Sequence, residues 1–248
     1  MARKKRTSST GITLIKKANN LIESRYKFDI WETRVFLSVL SQIRREDNEF
    51  HIYRIRYKDV INNFELKSGD SYEYLRKAAK GLMRQQFYVT YDKEGVGRET
   101  AYQIIITADY IKGGLEGETP KRVESQEYID VQVHPEMKPF LLQLQKNFTA
   151  YDLKNVVKLG VYPIRIYELM KQYETIGRRI LDIDELKRMF ELTKEYKRFN
   201  DFYRFVISPA VRDINKHTDL NIVDVKKIKE GRRVVALKFI IQGRRSPK

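Results

Sequence analysis

The side chains with the most chemical reach in this chain are cations and amides interleaved with aromatic rings in its last third. Lys194-Glu-Tyr-Lys-Arg-Phe-Asn200 brings Lys197, Arg198 and Asn200 to the start of a helical stretch from about Asp201 to Lys216, whose polar side carries Arg204, Ser208 and Arg212. A guanidinium can pair bidentately with guanine and an Asn amide with adenine, and helices that read a groove enter it by their N-terminal end. Phe199 suits the core, whereas Tyr196 and Tyr203 suit either packing or base contact. A second cationic set, Lys226, Lys227, Lys229, Arg232 and Arg233, surrounds a turn between the β-rich runs Leu220–Val225 and Val234–Ile241. Such a hairpin tip contacts phosphates or the minor groove, which adds affinity and salt dependence but little sequence information. A single Lys or Arg on a helix face is usually plain solvated surface. It is the clustering at a helix entrance and a hairpin tip that points to a polyanion.

The elements that must position these residues run from Leu181 to Gln242. An amphipathic helix beginning at Asp182 is followed by the basic connector, the second helix and the hairpin. That order is a winged helix-turn-helix. Within the second helix, Phe202, Phe205, Val206, Pro209, Ala210 and Ile214 recur at core-facing spacing, and Pro209 is expected to bend or restart the rod.

The same order occurs earlier. Tyr57–Phe64 reads as a short helix, Lys67-Ser-Gly-Asp70 as a turn, and about Ser71 to Arg84 as a helix with Leu75, Ala78, Ala79, Leu82 and Met83 on one face. Strands Phe87–Tyr91 and Thr100–Ile106 then flank a polar turn. The corresponding DNA-contact candidates are Ser71, Arg76, Lys77 and Lys80 on the helix, with Lys93 and Arg98 on the wing. Tyr57-Lys-Asp-Val-Ile-Asn-Asn-Phe-Glu-Leu66 aligns without gaps on Ile183-Asp-Glu-Leu-Lys-Arg-Met-Phe-Glu-Leu192, and Thr33-Arg-Val-Phe-Leu37 resembles Ile164-Arg-Ile-Tyr-Glu168. The expected fold is therefore α+β, with two tandem winged-helix domains related by an internal pseudo-repeat.

Residues 1–10 read as a basic disordered arm, 11–148 as the first domain, 149–242 as the second and 243–248 as a basic tail. In the first domain a helix is expected from about Ile30 to Arg44, with Asp29 and Glu32 at capping-box spacing. Strands are expected at Phe50–Arg56 and Tyr128–Val133, a flexible glycine-bearing loop from Lys112, and a helix from about Pro135 to Lys146. The second domain should open with Leu153–Leu159 and a helix from Pro163 to about Tyr173.

Composition narrows the function classes. Against 33 Asp+Glu stand 49 Lys+Arg, a formal charge of +16 over 248 residues. The self-repulsion of such an excess is offset by a polyanionic partner, of which nucleic acid is the first candidate. With no Cys there is no thiolate metal site, disulfide or Cys nucleophile. His51, His134 and His217 are scattered, outside any H-x-H or H-E-x-x-H pattern, and the glycines lack the Gly-Lys-Ser/Thr ending of a phosphate loop. No metal, cofactor or enzymatic activity is expected. No apolar run approaches the roughly 18 residues of a membrane span, and the N-terminus lacks the apolar centre of a secretory signal. A cytoplasmic protein with no membrane partner is expected.

Several fragments carry a family resemblance. Leu21-Ile-Glu-Ser-Arg-Tyr-Lys-Phe28 followed by Glu32-Thr-Arg-Val-Phe-Leu37 resembles the opening of the iteron-binding plasmid replication initiators of the Rep3 superfamily. Arg165-Ile-Tyr-Glu-Leu-Met-Lys-Gln-Tyr173, Tyr196-Lys-Arg-Phe-Asn-Asp-Phe202, Pro209-Ala-Val-Arg-Asp-Ile-Asn215 and Lys229-Glu-Gly-Arg-Arg-Val-Val-Ala-Leu-Lys-Phe239 resemble the second half of the same family. The resemblance extends from about Leu14 to Ile241. It implies two winged helices that bind direct repeats in double-stranded origin DNA, promote opening of an adjacent A+T-rich segment and recruit the host helicase and replication machinery. It also implies a monomer–dimer equilibrium, with dimer contacts largely in the first domain and repression of the protein's own gene at an inverted repeat. Asp201–Asn215 and Ser71–Arg84 match the recognition-helix regions of the two domains. Two alternatives remain at this level: a transcriptional repressor without origin function, and a rolling-circle nuclease using one of the 16 Tyr, against which the missing H-x-H motif counts.

Overall fold

The computed structural model describes residues 5–7, 14–66, 72–110 and 127–243. In chain order the first half contains β1 (Lys5–Thr7), β2 (Leu14–Ala18), α1 (Asn19–Ile22), α2 (Ile30–Leu40), β3 (Ile52–Arg56), α3 (Tyr57–Asn63), α4 (Tyr72–Leu82), β4 (Gln86–Lys93), β5 (Val96–Gln103), β6 (Ile105–Tyr110), β7 (Tyr128–Val133) and α5 (Lys138–Leu141). The second half contains β8 (Phe148–Asp152), α6 (Val161–Lys171), β9 (Arg178–Asp182), α7 (Ile183–Met189), α8 (Phe199–Phe202), a π turn (Tyr203–Ile207), α9 (Ser208–His217), β10 (Leu220–Glu230) and β11 (Arg233–Gly243).

The repeat seen in the letters is a repeat of structure. β3 and α3 reappear as β9 and α7 with identical lengths, and α2 and α6 are each 11 residues long. The shared Phe-Glu-Leu has a physical reason, because it closes both helices in the same way. Glu65 and Glu191 adopt left-handed conformations with φ of 49° and 54°. The next N–H groups then fold back, Leu66 N to Ile61 O at 3.0 Å and Leu192 N to Lys187 O at 2.7 Å. This is a Schellman closure, which satisfies the last carbonyls and turns an apolar side chain back onto the helix. Phe64, Phe190 and Leu192 are buried at the two closures.

Helix α2 starts where its caps dictate. The Asp29 carboxylate accepts from the Glu32 N–H at 2.7 Å, and the Asp29 N–H donates to the Glu32 carboxylate at 2.8 Å, the reciprocal capping box. Val35, Phe36, Leu37, Val39 and Leu40 are all buried. The helix ends at Leu40, before the expected Arg44.

The sheets are where the two copies diverge. In the second, β9 pairs with β11 to give the order β10-β11-β9. In the first, β3 pairs with β7 and β1 in a sheet ordered β1-β3-β7-β6, and β4–β5 stands as a separate hairpin closed at Glu94–Gly95, both with positive φ. That is the backbone of a two-residue hairpin loop matched to the strand twist.

Four expectations need correction. Lys5–Thr7, read as part of a disordered arm, pairs in parallel with Ile52–Arg54, whose strand edge offers otherwise unpaired backbone groups. Thr100–Ile106 is not one strand: β5 ends at Gln103 and β6 begins at Ile105 in another sheet. The helix expected over Pro135–Lys146 is only a 3-10 turn, Pro135–Met137, and the four residues of α5, because Leu142 turns extended and Gln143 takes a φ of 50°. Phe205, placed in the core by its spacing, is exposed. Lys67–Asp70, the loop from Lys112 to Arg122 and the tail 244–248 lie outside the described residues.

The two halves meet on β2 and β8, which pair antiparallel from Leu14↔Asp152 to Ala18↔Phe148. Beneath them lies a buried polar junction. Lys17 Nζ donates to Glu168 Oε1 at 2.7 Å, and the Tyr151 hydroxyl donates to the same oxygen. Beside it the Arg165 guanidinium reaches the carbonyls of Ser24 (2.8 Å), Tyr26 (3.1 Å) and Ile22 (3.3 Å) and lies 3.6 Å from the Tyr26 ring centroid. Burial pushes the Arg165 pKa down and the Tyr151 hydroxyl well above its usual range, so the hydroxyl stays a donor. Arg179 extends the junction by donating to the Leu169 carbonyl and to Glu23.

Candidate nucleic-acid interface

In the second half, α7 is fixed by Asp182, whose carboxylate accepts the N–H groups of Asp184 and Glu185 at 2.8 and 3.0 Å. Ile183, Leu186 and Met189 bury its inner face. Lys187 leaves the other side and donates to the Tyr196 carbonyl at 2.9 Å, pinning a connector residue that has a φ of 50°. The chain thereby enters α8 with Lys197, Arg198 and Asn200 exposed on one side and Phe199 turned inward.

Those residues face the wing across an open groove of about 560 Å³. Its walls are Lys187, Lys197, Arg198 and Asn200 from the helical side, and Lys227, Lys229, Arg232 and Arg233 from the hairpin. The sequence placed all of these except Lys187 at a contact surface, and the fold brings them to one concavity. Asp184 is the acidic residue on the wall, paired with Arg233 at 2.7 Å with both side chains about 70% exposed. Such a pair is worth little in water and yields readily to a phosphate. Lys227 is held over the aromatic shelf made by Tyr203 (4.8 Å) and Phe199 (5.4 Å). Tyr203 therefore serves as a platform for a wing cation. Convergent cations with few acids create the field that concentrates a polyanion.

Arg204, Ser208 and Arg212 lie beyond this groove, exposed along the rod, and Lys226 is exposed on β10 without lining it. Arg212 pairs with Asp213 at 3.2 Å. The rod itself is continuous helix from Phe199 to His217, and the π turn ends at Ile207, two residues before Pro209. A proline cannot donate to the carbonyl four residues back and its ring crowds that carbonyl, so the widened turn absorbs the misfit without breaking the rod. The turn also shifts the buried face. Phe202 and Ile207, five apart, are both fully buried with Val206, Ala210 and Ile214, while Phe205 is 54% exposed.

The first half presents a sparser version. Lys77 and Lys80 are exposed on α4, with Lys80 Nζ 5.4 Å from the Tyr110 ring, and Lys93 and Arg98 are exposed on the β4–β5 hairpin. Arg76 is half-buried and bonded to Glu73 at 2.5 Å, a contact that holds the Glu73 carboxyl below its usual range. Ser71 lies outside the described residues. Tyr74 on α4 stacks on Trp31 at 5.4 Å, 42% exposed, a contact that the sequence spacing did not single out.

The two surfaces are tied together at Arg25. It donates to Glu99 on β5 at 2.7 Å and to Glu191 at the end of α7 at 3.1 Å, and its guanidinium covers the Tyr88 ring at 3.7 Å. Arg188 of α7 adds a contact to Thr90 on β4 at 3.3 Å. Among the described residues no cluster of His, Asp or Glu could hold a metal, and no helix is long and apolar enough to cross a membrane.

Two helix-turn-helix units, each followed by a hairpin and joined through the β2–β8 pair and a buried polar junction, define a double winged-helix protein. The family description "Initiator Replication protein, WH1" matches residues 14–171 and "Initiator Rep protein, WH2" matches residues 182–241, and the chain belongs to this family of initiator replication proteins. A curated replication initiation protein of Escherichia coli is 25% identical over 221 residues, covering 85% of this chain. The chain spans 65% of that relative's length. The crystal structure of the Pi initiator protein in complex with iteron DNA has the same fold, with a TM-score of 0.75 at 20% identity over 94% of this chain and 98% of the other.

Proposed function

We propose that this chain is a plasmid replication initiator that reads double-stranded origin repeats with both winged helices. The observation that carries the reading is the cationic groove between the entrance of α8 and the β10–β11 wing, repeated in weaker form on α4 and β4–β5. Family membership and the fold shared with an initiator solved on iteron DNA support it. The division of labour follows the internal repeat, with residues 11–148 as the first reader and the dimerisation domain and 149–242 as the second reader. As a monomer the protein binds direct repeats, promotes opening of the adjacent DNA and recruits the host helicase and replication proteins. As a dimer it represses its own gene at an inverted repeat. The work is binding and distortion of DNA, with no bond made or broken by the protein and no metal or cofactor.

Within the second reader the roles divide by element. Asn200, Arg204, Ser208 and Arg212 face base edges, and Lys226, Lys227, Lys229, Arg232 and Arg233 hold the backbone, with Lys197 and Arg198 at the entrance. Arg204→Ala should cost about 1–3 kcal/mol on the cognate repeat and relax base preference. Arg232→Ala should weaken cognate and scrambled duplexes equally and lower the salt slope by about one. Anisotropy titrations of both variants across a salt series on the two duplexes decide the matter. If the two variants exchange behaviour, the assignment of reader and clamp is reversed.

A further inference from the structure

Phe205 is a large apolar side chain on the outer side of a helix whose inner side is otherwise fully packed, with 54% of its surface in solvent. Single exposed apolar residues are common and need no explanation by themselves. Three features set this one apart. It lies on the rod between Arg204 and Ser208, both exposed on the side that faces away from the core. It is out because the chain turns it out: in a regular helix its spacing from Phe202 would bring it toward the core, and the π turn instead buries Ile207. The ring also has neighbours, with the Arg204 guanidinium 5.2 Å from its centroid and the Tyr196 ring 6.3 Å away. Tyr196 is itself fixed by Lys187 through its carbonyl.

We infer that Phe205 is a base-reading residue that packs against a thymine 5-methyl group in the major groove. The methyl is the one apolar feature on the major-groove edge of a base pair, and an apolar side chain reads it by contact. The π turn thus has a consequence for recognition. It moves an aromatic ring from the core onto the DNA-facing side, and the neighbouring Arg204 brings a bidentate donor to the adjacent base. Sequence periodicity could not find this residue, because only Pro209 hints that the helix is not regular.

The inference rests on the second winged helix being a DNA reader, and the test separates the two. Full-length protein is titrated onto a duplex carrying one origin repeat, defined by its own footprint, in which each thymidine is replaced in turn by deoxyuridine. That change removes one methyl and leaves every base-pair hydrogen bond intact. For the wild-type chain, replacement at one or two positions within the second reader's half of the repeat weakens binding by about fourfold each, the order expected for burying one methyl. Phe205→Ala weakens binding to the all-thymine duplex by a similar factor and removes the response at those positions, whereas Phe205→Leu keeps most of it. Because the ring is exposed, an unchanged thermal melting curve shows that the variants fold. Specific binding by the wild type with no response to any replacement overturns the role of Phe205 alone, as does a Phe205→Ala variant that still responds. Loss of any preference for the repeat over scrambled DNA overturns the underlying reading as well.

Discussion

With Lys197, Arg198 and Arg204 all replaced by glutamine, the intact chain should lose affinity for its repeat by about 10²–10⁴-fold at physiological salt. The first reader still holds its own half of the site, but it holds it as a single weak module. Two linked modules bind tightly because the second contact is intramolecular, at an effective concentration set by the link. Here the link is reinforced by contacts between the halves. Arg25 spans β4–β5 and the end of α7, and β2 pairs with β8, so neither reader searches freely once the other is bound. Rigid spacing raises the effective concentration when the DNA matches it and forfeits the gain when it does not. Cutting the chain near Asn147, the simplest way to separate two domains, would confound this test. It would sever the covalent link just before β8 and leave the carbonyls that Arg165 serves on a different fragment. Silencing one reader inside the whole protein keeps the junction. A loss of less than tenfold, measured by anisotropy with the first reader untouched, would mean that the two surfaces do not act together.

Arg165→Ala should destabilise the protein by about 3–5 kcal/mol, the scale of removing one member of a buried polar cluster. The guanidinium is the donor to three backbone carbonyls in the Ile22–Tyr26 segment, which it also covers through the Tyr26 ring. Alanine leaves those acceptors buried, each at a cost of roughly 1–3 kcal/mol where water cannot reach it, and opens a void against Tyr26 and Phe190. Lysine retains the charge but not the planar fork, so Arg165→Lys should recover little. Urea unfolding followed by circular dichroism provides the measurement, and a loss below about 1 kcal/mol would show that the segment finds other donors. Arg165 is buried and lines no part of the cationic groove. Its loss should lower binding only in proportion to the unfolded fraction.

What could be read from the letters, and what could not, divides along physical lines. The α3 and α7 turn units were legible because amphipathic spacing and the Phe-Glu-Leu closure are local, and both copies carry that closure at equivalent positions. The capping box of α2 was equally local. The groove's cations were legible as a cluster because sequence neighbours at a helix entrance and at a hairpin tip stay neighbours in space. Lys187 was missed because its place on the groove depends on a carbonyl in the connector. Phe205 was misplaced because a period of 3.6 residues fails across a π turn. The pairing of β3 with β7 and the buried contacts of Lys17 with Glu168 and of Arg165 with the Ile22–Tyr26 segment were invisible, since the partners lie more than about seventy residues apart. No spacing rule reaches that far.

A hydroxyl-radical footprint of the full-length protein on the DNA upstream of its own gene shows whether both winged helices engage one site together. Two winged helices joined in one chain predict sites protected in two tracts about one helical turn apart on the same face of the duplex, and the proposed initiator role predicts that these sites recur as direct repeats. A single tract per site, or even coverage without repeats, would contradict a protein that reads DNA with both halves at once.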